Sequence, residues 1–298
     1  MVSLPQTILA TLAYSDIFQY PLNLAEIQKN LIGKKVRTSE ISQELTKLIK
    51  DGRVGEKGQL FYLAGSKKFV SKRKSREKNF SQKLEKAKSA AKILKLVPSV
   101  KFIGISGATA VGNSDKNDDI DFFLICAQNR LWTTRFLATL VLDLFRLRRK
   151  PPSRDLKDKI CLNMFLDEAK LEISSKTLYL AHEILQVFPL FDRDNTYNKF
   201  IRRNSWAFKF LPNWTKPKFT VDSSQFTIGN LFRFCLPSSN LFEAILKKIQ
   251  LRYMAKRRTT EKISDSGLFF HPKDASPRVL KDFQNRLRKL KIPIDKAL

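Results

Sequence analysis

The 298-residue sequence predicts an α+β protein: a helical N-terminal unit, then a small mixed-sheet unit, then a mostly helical C-terminal region. Three observations carry this. Ile41, Leu45, Leu48 and Ile49 recur at helical spacing and are followed by the short apolar runs Arg53-Val54 and Leu60–Leu63, which read as a hairpin. From Val100 the pattern changes to strand-like runs, Val100–Ile105, Asp119–Cys126 and Lys159–Leu166, separated by helical stretches Asn129–Arg146 and Thr177–Val187. Beyond Pro189 the pattern is mainly helical and is punctuated by Pro212, Pro217 and Pro237. The expected division is residues 1–65, a basic connecting helix 66–97, the sheet-bearing unit 98–188 and the helical region 189–298.

Composition narrows the function classes. With 43% hydrophobic residues and 23 Phe, the chain can bury a core, which excludes global disorder. The most apolar run, Phe136–Phe145, is about half the roughly 20 residues of a membrane span and contains Asp143, so it is expected to be a buried helix. The N-terminus has no basic segment or clear cleavage site, so no signal peptide is expected. Cys126, Cys161 and Cys235 are widely spaced, with no zinc spacing and no disulfide framework; Cys126 and Cys161 read as plain core residues. A cytoplasmic protein without a membrane partner is the expectation. The net charge of +28 favours a polyanionic partner, nucleic acid or nucleotide.

Within the first unit, Ile8, Leu9, Leu12 and Ile17 share a helix face, and Asn23 with Glu26 forms a capping-box pair for a second helix ended by Gly33. Thr38 or Ser39 caps a third helix, which Gly52 stops, and the turn Glu56–Gln59 closes the hairpin. Three helices followed by a hairpin resemble a winged-helix domain. That resemblance makes the third helix the recognition helix, yet its outward residues include Glu40 and Glu44 beside Gln43 and Lys47, and two acids repel phosphates. Arg53, Lys57 and the following helix are better placed for nucleic acid. Ser66–Lys95 holds 12 Lys+Arg against 2 Glu and keeps helical spacing through Phe80, Leu84, Ala87, Ala91 and Leu94. It is either a solvated connector or a polyanion-binding rib.

The informative segment is Ile103–Ile125. Asp119 and Asp121 stand at i and i+2 of a strand and share a face, so their like charges repel unless a cation lies between them. A divalent, oxygen-preferring ion such as Mg²⁺ suits that pair. Upstream, Gly107 permits a tight strand-to-helix step whose free N–H groups can face an anion. A phosphate cradle and a metal-binding acid pair together describe a nucleoside triphosphate held on Mg²⁺.

The pattern Gly107-x-x-x-x-Gly112, a polar loop, then Asp118-Asp119-Ile120-Asp121 and an apolar strand resembles the nucleotidyltransferase fold of the DNA polymerase beta superfamily, over residues 100–167. The resemblance implies that Ser106, Gly107, Ala108, Thr109 and Gly112 hold nucleotide and that Asp119 and Asp121 ligate Mg²⁺. Three positions depart from it. Ala108 replaces a serine, so Ser106, Thr109 or backbone N–H groups take its place. Asp118 occupies another serine slot and adds negative charge. The family's third carboxylate, on a later strand, has no clear counterpart: simple alternation puts Cys161, Asn163, Phe165 and Asp167 on one face, with Asn163 where the acid is expected. An amide cannot serve as a base near neutral pH. Asp167 or Asn163 is the expected third catalytic residue, and Glu183 on the next helix is a further candidate.

His182 reads as a packing or hydrogen-bonding residue, and His271 as part of a loop. Arg146–Lys150 and the Pro151-Pro152-Ser153-Arg154 stretch after it form a basic loop that either borders the cleft and holds phosphates or is a solvated helix end. The expected function is Mg²⁺-dependent transfer of a nucleotidyl group from an NTP to an acceptor hydroxyl, with nucleic acid favoured by the charge. The alternatives are a nucleic-acid-binding regulator with a degenerate transferase domain, and a transferase acting on a small molecule or protein side chain. The sequence does not specify an oligomeric state.

Overall fold

The computed structural model describes residues 2–150, 156–215, 240–255, 262–264, 267–269 and 275–293. The N-terminal unit is α1 (Leu4–Ile17), α2 (Leu24–Lys29), α3 (Thr38–Lys50) and the antiparallel hairpin β1 (Val54–Lys57) and β2 (Leu60–Leu63). Asn23 and Glu26 make the expected reciprocal cap: the Glu26 N–H donates to Asn23 Oδ1 at 2.9 Å and the Asn23 N–H to Glu26 Oε2 at 2.8 Å. A bridge between Leu22 and Phe61 ties the α1–α2 connection to the hairpin.

A long helix, α4 (Phe69–Leu94), leads into β3 (Val100–Ile105), the short α5 (Gly107–Ala110), β4 (Ile120–Cys126), α6 (Leu131–Leu144), β5 (Ile160–Asp167), α7 (Leu178–Leu185), β6 (Phe188–Asp192), α8 (Thr196–Arg203) and α9 (Ala207–Phe210). Then come α10 (Asn240–Ala255), β7 (Lys262–Ile263), β8 (Gly267–Phe269) and α11 (Ala275–Lys289). The main sheet has the order β6-β3-β4-β5-β8-β7; β4 and β5 are parallel and the other pairs antiparallel. The mixed α+β class is therefore as expected.

Helices cover both faces of the sheet. Phe102, Phe123, Ile125 and Leu166 face a core shared with α1, α3, α7, α8 and α11. Ile103, Ile105, Phe122, Leu124 and Phe165 face a second core with α4, α6 and α10. The first core runs without interruption from Ile8 to Ile292, so the N-terminal unit is seated on the sheet rather than held apart from it. Tyr14 of α1 stacks on His182 of α7 with ring centroids 4.2 Å apart and meets Phe283 of α11 edge-on. This explains why α1 is buried on nearly all sides from Thr7 to Tyr14 and not on one face alone.

Two expectations are corrected. Residues after Pro189 are not simply helical: β6 spans that proline and adds an outer strand to the sheet, and β8 pairs with β5. Pro189 is tolerated because β6 is an edge strand whose outer N–H groups need no ladder partner. The Phe136–Phe145 run is helical, but it is not buried throughout. Ala138 and Leu142 pack inward, while Leu140 is 54% and Leu144 77% exposed, because α10 covers the helix from one side only. Glu243 of α10 caps α6, accepting from the Trp132 N–H at 2.6 Å and the Thr133 N–H at 3.0 Å. No described helix is long and apolar enough to cross a membrane.

The basic helix α4 is built inward as much as outward. Arg73 pairs with Glu26 and Glu77, Arg76 holds Asp115 through two bonds of 2.8 and 2.9 Å, and both are buried. Lys83 is 1% exposed; its Nζ donates to the Asp118 carbonyl and lies 3.1 Å from Asp158 Oδ1. Removing one partner of a buried ion pair leaves the other charge desolvated. Lys83→Met is therefore expected to lower stability by about 3 kcal/mol. Lys74→Met, at an exposed position of the same helix, should change it by no more than about 0.5 kcal/mol. Urea unfolding of the two variants checks the difference.

Candidate functional site

The site lies where β3, β4 and β5 meet α5, at the sheet end that carries Ser106, Asp119 and Asp121. β3 ends at Ile105, and the Ser106 N–H donates to the Asp121 carbonyl at 2.9 Å, which joins the loop to the start of β4. Gly107 has φ +63, and a Cβ there would sit 3.0 Å from Asp121 Oδ2. Both the backbone and the close carboxylate therefore require glycine at this position. Gly112, at φ +70, turns the chain out of α5, with Phe80 of α4 beneath it. The loop beyond is fixed by Arg76, which also donates to Asn113 Oδ1 at 2.8 Å.

Asp119 and Asp121 come together as the i, i+2 spacing requires, with Cys161 beside them; ligand atoms of all three lie within 4.8 Å of one another. Cys161 faces Asp121 directly in the parallel β4–β5 register. Burial, and then the neighbouring Asp119 carboxylate, push Asp121 up to about 7, against which a hydrogen bond from Cys161 acts. Burial and the two carboxylates push the Cys161 thiol up as well, so it stays protonated. Arg149 Nη1 lies 2.7 Å from Asp119 Oδ2 and supplies a positive charge at the outer acid. The basic loop after α6 therefore borders the site through Arg149, while Arg148 and Lys150 pair with Asp143.

The third position is where the sequence misled. The β4–β5 pairing shifts between Phe122↔Leu162 and Phe123↔Met164, leaving Asn163 as an extra residue. A bulge of this kind reverses the alternation beyond it. Met164 and Leu166 consequently join the core on the Asp121 face, and Phe165 the opposite one. Asp167, expected as a catalytic acid, pairs with Cys126 at the far end of the strands, about 16 Å from Asp121 at strand rise. There it accepts from the N–H groups of Asn129 and Ala169 and shapes the turn into α6. It is not part of the site.

Glu183 is the acid nearest in kind to the missing one, though the close cluster of ligand atoms holds only Asp119, Asp121 and Cys161 among the described residues. α7 packs on the Asp121 face, and Glu183 lines a cavity of about 420 Å³ together with Ser106 and Asn163. Burial first, and then Asp121, push Glu183 up to about 7. Asn163 is 3% exposed at the same cavity. Ser106 Oγ is buried and has no hydrogen-bond partner among the described residues, whereas Thr109 Oγ1 reaches the Asp119 carbonyl at 3.5 Å. Ala108 lies on α5 and offers backbone only. Cys161 was read as plain core; only the strand register, which the sequence does not show, puts its sulfur against the acids.

His182 is a buried packing residue: burial lowers it to about 3, so it is neutral, and Gln186 lies 3.1 Å from its Nδ1. His271, Cys235, the Pro151–Arg154 stretch, Pro217, Pro237 and the Lys256–Arg258 run lie outside the described residues. Comparison with known protein families, with curated proteins and with solved structures found no match to this chain.

Asp121 links the site to stability. An acid whose pKa is raised by folding stabilises the folded state below its ordinary value of 3.8, and that contribution is lost as pH rises towards 7. Asp121→Asn is therefore expected to be more stable than the parent at about pH 8 and to lose less stability between about pH 5 and pH 8. Urea midpoints at the two pH values check this; an unchanged pH slope would contradict the assigned burial.

Proposed function

We propose that this chain is a divalent-cation-dependent nucleotidyltransferase, carrying a nucleotidyl group from an NTP to an acceptor hydroxyl. The observation that carries the reading is the Asp119–Asp121 pair against the glycine step at Gly107, with ligand oxygens of the two acids within 4.8 Å of each other. The donor set fits Mg²⁺ through the two carboxylates, since that ion is commonly held by one or two carboxylates with substrate phosphates and water completing the shell. The Cys161 thiol is a poor donor to a hard cation and contributes no ligand to Mg²⁺. A bound divalent ion would neutralise triphosphate charge and draw the reacting groups into line.

The chain's own residues supply the rest. First-turn N–H groups of α5 and the Ser106 hydroxyl face the phosphates, and Ser106 replaces the hydroxyl missing at Ala108. The acceptor oxygen attacks the α-phosphorus, the bond to the bridging oxygen breaks, and pyrophosphate leaves. The hydroxyl proton passes to Glu183, whose elevated pKa suits a base near neutral pH. Arg149, which holds Asp119 in the resting site, is positioned to turn to phosphate oxygens when a cation takes its place. The hairpin and helices of the N-terminal unit fit a winged-helix reading, in which the unit braces the sheet and leaves Arg53 and Lys57 at the surface.

One observation favours a second reading. The Arg149–Asp119 ion pair can stand as a permanent substitute for the cation, leaving a nucleic-acid-binding regulator with a degenerate site. Pyrophosphate release separates the two. With Mg²⁺ and NTP, the parent chain should release pyrophosphate, and Asp119→Ala should lower the rate at least about 10³-fold. Turnover surviving in that variant refutes the assigned site. Absence of release from the parent with every NTP, together with salt-sensitive RNA or DNA binding, favours the regulator.

A further inference from the structure

The cavity beside the carboxylates names the acceptor more closely than the net charge does. It encloses about 420 Å³, within the roughly 300–1,000 Å³ of small-molecule sites. Its polar lining includes Ser106, Asn163 and Glu183, and Glu183 feels the charge of Asp121 nearby. Its walls are apolar, formed by Met164, Leu166, Leu180, Ile184, Phe200 and Phe269. Neutral hydroxyls also line it, from the exposed Ser174, Ser175 and Ser264 and the buried Ser276. Among the described residues of the lining, Lys170 is the one cation and stands with the carboxyl groups of Glu172 and Glu183.

A polynucleotide strand entering this cavity would bring phosphates into a largely apolar space whose described lining offers Lys170 beside Glu172 and Glu183, whereas nucleic-acid grooves are lined by Lys and Arg. The basic surplus of α4 does not reverse this, because no α4 residue is among the described lining of the cavity, and Arg73, Arg76 and Lys83 are held by acids and carbonyls of the chain itself. An uncharged molecule with an apolar body and a hydroxyl at one end matches both halves of the cavity. The buried, unpartnered Ser106 Oγ is placed to bond that hydroxyl or the phosphate it meets.

We infer that the acceptor is a small, uncharged, largely apolar alcohol or phenol that lies in this cavity with its hydroxyl at Glu183. The inference rests on the transferase reading above. Two assays test it. In ¹⁹F NMR without nucleotide, 4-(trifluoromethyl)benzyl alcohol should bind saturably, and 4-(trifluoromethyl)benzoate at least about tenfold more weakly because of the lining carboxylates. Ser175→Trp, at an exposed position on the rim, and Met164→Trp, which fills the interior, should each weaken alcohol binding at least about tenfold. Thermal midpoints establish that both variants are folded, and Ser175→Trp keeps the test valid if Met164→Trp does not fold.

In the second assay, label from α-³²P NTP should pass to a panel of apolar alcohols, and Ser175→Trp should reduce that transfer while leaving NTP binding unchanged. Label passing instead to RNA or DNA, with the Trp variants unaffected, overturns the inference and leaves the transferase reading standing. Saturable alcohol binding with no label transfer to any acceptor refutes the transferase reading, and the acceptor assignment with it. No saturable alcohol binding refutes the cavity as an acceptor site whatever the transfer assay shows.

Discussion

The structure turns on two carboxylates that its own strand geometry forces together. Asp119 and Asp121 share a face at i and i+2, and Asp121 is pressed beneath α7 and against Gly107. Two anions so close, in a place water reaches poorly, are unfavourable unless a cation or a proton offsets them. The resting protein uses both devices, with Arg149 on Asp119 and, on Asp121, a pKa that burial and the Asp119 charge raise against the opposing hydrogen bond from the Cys161 thiol. Under the proposed function, a divalent ion between the two acids would relieve that repulsion.

The same logic accounts for the basic helix. A loop bearing Asp115 and Asp118, running into Asp119 and Asp121, concentrates negative charge at one end of the sheet. α4 answers it from beneath, with Arg76 on Asp115, and Lys83 joining the Asp118 carbonyl to Asp158. Part of the net charge of +28 is thus structural counter-charge and says nothing about a partner. The outward lysines of α4 retain that capacity, but none of them lies among the described residues that line the largely apolar cavity. Surface charge and the proposed acceptor site therefore lie on different parts of the molecule.

Local signals were legible in the sequence and long-range pairing was not. The Asn23–Glu26 cap, the Gly52 stop and the i, i+2 acids are set by neighbouring residues, and each forms as its spacing requires. Asp167 does not reach the acid pair because it lies opposite Cys126, about 16 Å along the strands, and the extra residue at Asn163, a bulge that depends on the partner strand, also turns it to the other face. Cys161 and Glu183 reach the site through strand register and helix packing, which involve residues 40 and 62 positions from Asp121. The short β6 and β8 went unread because a proline in one and brevity in the other remove the usual strand signature.

The central claim is that Asp119 and Asp121 form one divalent-cation site that a nucleotide completes. Mn²⁺ titration followed by electron paramagnetic resonance, with a non-hydrolysable NTP analogue present, tests it most directly. The account predicts one tightly held Mn²⁺ per chain, its binding strengthened by the analogue and lost in Asp121→Asn. Equal Mn²⁺ binding by the parent and the Asp121→Asn variant, or binding indifferent to the nucleotide, would contradict it.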